Sequence, residues 1–140
     1  MQWLLFAFLS AVFAAATSIL AKVGIHGIDS NVATAIRTTV ILFFAWGIVL
    51  FQKTGSSIGS ISRYSMVFLV LSGLATGLSW LFYFRALQIG QASKVVPIDK
   101  LSLVLTIIMA AIFLKEKLSF TVGIGTVLMT AGAIMIALAK

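Results

Sequence analysis

The residues in this chain that can do chemistry are few, and they stand in apolar surroundings. Arg37 sits in the stretch TAIRTTV, just ahead of the uncharged run 38–52. Asp99 and Lys100 sit in VVPIDKLS, just ahead of the apolar run 101–114. Between them in sequence lies an aromatic cluster, Trp80, Phe82, Tyr83 and Phe84, closed by Arg85. Asp99 is placed to pair with Arg37 or with Lys100. The helix that Pro97 favours, beginning near Val96, would point its positive end at the same mouth. Together these groups would suit an anionic or zwitterionic ligand, with the aromatic cluster as a wall. In a second reading, Arg37, Arg85 and Lys100 only snorkel to a polar boundary and Asp99 completes a first-turn cap.

Other chemistries lack their residues. The chain has no Cys, which excludes thiolate metal sites and disulfides. One His and three acidic residues do not form a metal cage or a nucleophile–base pair. His26 lies in the polar loop KVGIHGIDSN and reads as solvated. An enzyme is not expected, and no cofactor is implied.

Composition says what must hold these groups. The chain has 140 residues, 61% hydrophobic and 9% charged, with mean hydropathy +1.19. Soluble domains carry roughly 25% charged residues, so this is an integral membrane protein. The net charge is +7. The basic residues are spread singly between apolar runs rather than clustered, which fits membrane flanks and not a nucleic-acid face. The first apolar run has no basic residue before it and is longer than a signal-peptide core, so it reads as a retained span.

Five apolar runs are long enough, or nearly so, to cross a hydrocarbon core of about 30 Å. They predict spans over residues 2–21, 32–51, 66–84, 95–114 and 118–139, in one membrane domain over 1–140. The runs do not alternate in polarity, so the fold class is an all-α integral membrane protein with five transmembrane helices in a bundle. The loops between them are short: KVGIHGIDSN, the Gly/Ser-rich KTGSSIGSISRYS, and the charged turn Lys115-Glu116-Lys117. Small residues line one face of the first span (Ala7, Ala11, Ala14, Ser18). Gly73-x-x-x-Gly77 marks the third, and Gly125, Met129, Gly132 and Ile136 share a face of the fifth. Such faces permit close helix packing in lipid.

Let side A be the side of the N-terminus and side B the other. Arg37, Asp99 and Lys100 then lie near the side-B ends of the second and fourth spans, roughly 6–8 Å in at 1.5 Å per residue. Lys22 and Arg85 flank the same side, so four separated stretches place charge at one mouth. Basic residues on side A are Lys53, Arg63, Lys115 and Lys117. Those on side B are Lys22, Arg85, Lys94 and Lys140, with Arg37 and Lys100 further in. Orientation follows a difference in Lys/Arg count, and here the difference is small. The chain could insert both ways, and two opposed copies would form an inverted pair.

The segment 83–136, YFRALQIGQASKVVPIDKLSLVLTIIMAAIFLKEKLSFTVGIGTVLMTAGAIMI, resembles the EamA domain of the drug/metabolite transporter superfamily. The resemblance rests on Tyr83, Arg85-Ala86-Leu87, Gly90, Ala92-Ser93, the turn Leu114-Lys115-Glu116-Lys117-Leu118, Gly123 or Gly125, Ala131-Gly132, and Arg37 in the second span. With the five-span layout it covers essentially the whole chain. It implies one half of a ten-helix fold in which two five-helix halves are inverted. A single half implies a homodimer, parallel or antiparallel, in the cell membrane. The implied activity is secondary transport of small metabolites or drug-like amphipathic solutes by alternating access. No ATP-binding glycine loop is present, so an ion gradient or the solute's own gradient would drive it. The related four-helix multidrug transporters use a Glu in their first helix. This first span has no acidic residue, which leaves Asp99 as the candidate coupling carboxylate. The candidate substrate-binding residues are Arg37, Trp80, Tyr83, Arg85, Asp99 and Lys100; the resemblance itself carries no role over to the Asp99-Lys100 pair. The competing class is a non-transporting membrane scaffold or subunit of a larger complex.

Overall fold

The computed structural model describes residues 2–139; the expected terminal charge at Lys140 lies outside them. The helices are α1 (Gln2–Gly24), α2 (Ser30–Phe51), α3 (Arg63–Ile89), α4 (Ala92–Asp99), α5 (Ser102–Phe113) and α6 (Phe120–Leu138), with a short 3-10 helix at Thr54–Ser60. Among the described residues there is no strand. Five candidate spans result: Gln2–Gly24, Ser30–Phe51, Arg63–Ile89, Ala92–Phe113 and Phe120–Leu138.

Local chemistry sets most of the ends. Asp29 caps α2: its Oδ1 accepts the backbone N–H groups of Asn31 at 2.8 Å and Val32 at 3.3 Å, which are otherwise orphaned donors. Ser119 caps α6 by accepting the Val122 N–H. Lys115 leaves α5 with φ +55°, and the Glu116 N–H reaches back to the Ala110 carbonyl. Lys115 thus takes the left-handed conformation that Gly usually supplies just past a helix end.

The fourth span differs from the sequence expectation. Its helix starts at Ala92, not near Val96, because the N–H groups of Lys94 and Val95 both bond the Gln91 carbonyl, at 3.0 and 2.9 Å. Pro97 is therefore inside the helix, where its missing N–H leaves the Ser93 carbonyl without its partner four residues on. The helix gives way at Lys100–Leu101. The N–H groups of Leu101, Leu103 and Val104 each bond the carbonyl three residues back, at 3.0 Å, the tighter 3-10 pattern. The span is thus two helices end to end.

The chain divides into two compact units, residues 21–88 and residues 1–20 with 89–140. In the first, Ala21, Ile25, Ser30, Thr34, Phe84 and Leu87 are buried. They gather at the end where α2 starts and α3 finishes. Towards the other end, the 3-10 helix folds back against α2. Between them lies an open apolar cleft of about 370 Å³ lined by Trp46, Val49, Ile58 and Ile61 among others. In the second unit α4 packs on α6. The Lys94 Nζ donates to the Ala139 carbonyl, placing a cation at the carbonyl end of α6, where it is favourable. Ala133 is the buried apolar residue of α6.

Candidate functional site

Polar side chains in the spans fall into two groups. The hydroxyls of Thr34, Thr38, Thr39, Thr76, Thr106, Thr126 and Thr130 each donate to the carbonyl four residues back, at 2.8–3.0 Å. Bonded to their own helices, they need no further partner in lipid. The charged groups cannot be satisfied in that way.

Arg37 is half-buried on α2. Its guanidinium carbon lies 5.1 Å from the centre of the Trp80 ring and 4.5 Å from that of Phe84. Trp80 and Phe84 are four residues apart and so share one face of α3. Tyr83 packs edge-on to Phe84, with centroids 5.8 Å apart at 83°. Phe82 points elsewhere and is 73% exposed. The aromatic cluster is therefore split: Trp80, Tyr83 and Phe84 turn towards Arg37, and Phe82 turns out.

Three hydrogen bonds fix this end of α3, against the end of α1, against the loop before α2 and within α3 itself. The Lys22 Nζ donates to the Leu87 carbonyl at 2.5 Å. The Gln88 Nε2 donates to the Ile28 carbonyl at 2.8 Å. The Arg85 Nη1 donates to the Gln88 Oε1 at 2.7 Å, orienting that amide. Arg85 is exposed and serves the loop, one turn beyond the ring faces. The Lys22–Leu87 and Gln88–Ile28 partners were not legible from spacing, being 65 and 60 residues apart, whereas Arg85 and Gln88 have the three-residue spacing of helix neighbours. Phe84 as a cation partner did have a signal, its four-residue spacing from Trp80.

A magnitude shows what the rings leave undone. A cation on aromatic faces gains about 0.5–2 kcal/mol, whereas Arg at a span's centre costs about 2.5–3.5 kcal/mol on insertion scales. The rings offer no oxygen acceptor, and the guanidinium N–H groups find no hydrogen-bond partner among the described residues. Within residues 21–88 the one carboxylate is Asp29, which is engaged as the α2 cap. Asp99 and Lys100 belong to the other unit and pair with each other at 3.7 Å, at 35% and 51% side-chain exposure. So exposed a pair is worth under about 1 kcal/mol. His26 lies exposed in the loop before α2, and no metal-ligand cluster occurs among the described residues.

Comparison with known proteins supplies context for this geometry. The model of the EamA-like transporter family matches residues 1–138. A protein of Sinorhizobium sp, described as an uncharacterized transporter in the cobO 3′ region, is 46% identical over 136 residues, 97% of this chain and 96% of that protein. No solved structure matches the chain.

Proposed function

The chain belongs to the EamA-like transporter family, and from that premise we propose that it is a secondary transporter of small metabolites or amphipathic solutes, working as a homodimer by alternating access. The observation that carries the reading is Arg37, a cation about two turns into a membrane span, lying over two rings and without a carboxylate partner among the described residues. An unpaired ionisable group in a span marks a solute path more often than a scaffold. Trp80 and Tyr83 complete that side of the path, and Arg85 orients its rim through Gln88. In the other unit, Asp99 and Lys100 stand beside the discontinuity of the fourth span. Broken spans are where transporters place substrate or coupling ions.

The homodimer is supported by α6. Its face of Thr126, Thr130 and Ala133 is the less exposed one. On the adjacent face, a Cβ built on Gly125 or Gly132 meets no atom within 4 Å. An open glycine face in lipid suits another helix, and a second copy supplies one. The near-equal Lys/Arg counts on the two sides favour an antiparallel pair.

The test is flux by the purified chain alone in proteoliposomes. Saturable uptake of an amphipathic solute down an imposed ion or solute gradient is expected. Absence of flux across anionic, cationic and neutral panels, with co-purification of a different membrane protein, would replace this reading by a scaffold role.

A further inference from the structure

We infer that the cluster of Arg37, Trp80 and Phe84 receives a small amphipathic anion, its carboxylate on the guanidinium edge and its apolar body along α3. The inference rests on the transporter reading and adds the substrate's chemical class. The guanidinium carbon lies over two rings, at 5.1 and 4.5 Å, and rings take up none of its hydrogen-bonding capacity in the way an oxygen acceptor would, so its planar N–H edge is left to bind. That edge matches a carboxylate in a two-pronged arrangement, which an ammonium could not offer. Neighbouring hydroxyls do not compete, because Thr34 and Thr38 donate to their own helix. Nor does charge favour a cationic ligand: residues 21–88 carry Lys22, Arg37, Lys53, Arg63 and Arg85 against Asp29 alone.

The apolar body has room on the same helix. Gly77 and Gly73 precede Trp80 by three and seven residues, on its own face of α3. A Cβ at either glycine meets no atom within 4 Å. This face runs about 10 Å from Trp80 to Gly73 at 1.5 Å per residue, enough for one aromatic ring or a short acyl chain.

The test is a three-ligand titration of the full chain in detergent, followed by Trp80 fluorescence. Trp3→Phe and Trp46→Phe remove the other two indoles, both exposed at 72% and 50%. The ligands share a phenyl ring and differ in charge: phenylacetate, phenylacetamide and 2-phenylethylamine. Saturable change with phenylacetate is expected, with the amide and the amine at least about tenfold weaker, as for loss of a charge-assisted hydrogen bond. Arg37→Gln should remove the difference between phenylacetate and its amide, and the wild-type series stands if that variant fails to fold. Equal binding of acid and amide, or preference for the amine, overturns the inference. So does an Arg37-dependent response to phosphatidylglycerol with none to phenylacetate, which would make this a lipid-headgroup site. Flux of the amine in proteoliposomes without anion binding leaves transport standing and removes only the substrate class. Arg37-dependent anion binding without any flux does the reverse.

Discussion

The guanidinium carbon of Arg37 lies 4.5 Å from the centre of the Phe84 ring. The ring is almost fully buried, at 1% exposure. A charge laid on a buried ring is fixed in place before any solute arrives, and fixed charge binds without the cost of ordering a long side chain. The predictions at Trp80, Lys22, Gln88 and Arg37 below depend on that contact or on the bonds at its end of α3.

Trp80→Leu should weaken solute binding by a factor of a few to about thirty, the range of a cation–ring contact of about 0.5–2 kcal/mol. Trp80→Phe, which keeps a ring, should lose less. Affinities from a competition titration check the order. Equal losses for the two variants would mean that Trp80 only fills space.

Lys22→Met should lower thermal stability in detergent, because the Leu87 carbonyl at the end of α3 loses a charged donor. Such bonds contribute about 1.5–3 kcal/mol. Gln88→Leu removes a neutral donor from the Ile28 carbonyl and should cost less, about 0.5–1.5 kcal/mol. Melting of the two variants against wild type gives the ranking, and the reverse ranking would refute it.

These bonds also mark how far the sequence could be read. Run length and uniform apolarity made five spans legible, because lipid leaves a backbone no alternative to a helix over such lengths. Arg37, Trp80 and Tyr83 were legible as candidates for the same reason: a charge and aromatic rings inside apolar runs demand an explanation. Helix ends were less legible. Ser93 and Lys94 look like loop because they are polar, yet a first helical turn accepts polar residues readily, so α4 begins at Ala92. Pro97 signalled a helix start, and instead sits inside a helix that fails three residues later. The ties Lys22–Leu87 and Gln88–Ile28 were invisible, since side-chain-to-carbonyl bonds across 65 and 60 residues leave no periodic trace.

Gly125→Leu combined with Gly132→Leu should leave the monomer's helicity unchanged, since a Cβ at either position has open space around it and Leu is a good helix former. Self-association should fall, because the bulk lies on the face open to a second copy. Crosslinking yield in membranes, with circular dichroism as the control for folding, separates the two effects. Unchanged crosslinking would move the dimer contact off α6.

Because the chain has no Cys, single thiols at Ser57 in the 3-10 helix and at His26 in the loop before α2 can report orientation in intact cells. Both residues are exposed. Near-equal Lys/Arg counts predict partial labelling of each site from outside, by similar fractions. Full labelling of one and none of the other would fix a single orientation, leaving a parallel pair or an inverted partner as the working unit.

The most direct measurement compares wild type and Arg37→Ala for saturable solute flux at equal incorporation in proteoliposomes. The account predicts flux from the wild-type chain alone and a loss of about tenfold or more in the variant, with Arg37→Lys between them because it keeps the charge but not the planar fork. Wild-type flux that persists unchanged in a folded Arg37→Ala protein would contradict it, and would return Arg37 to the role of a side chain reaching for the membrane surface.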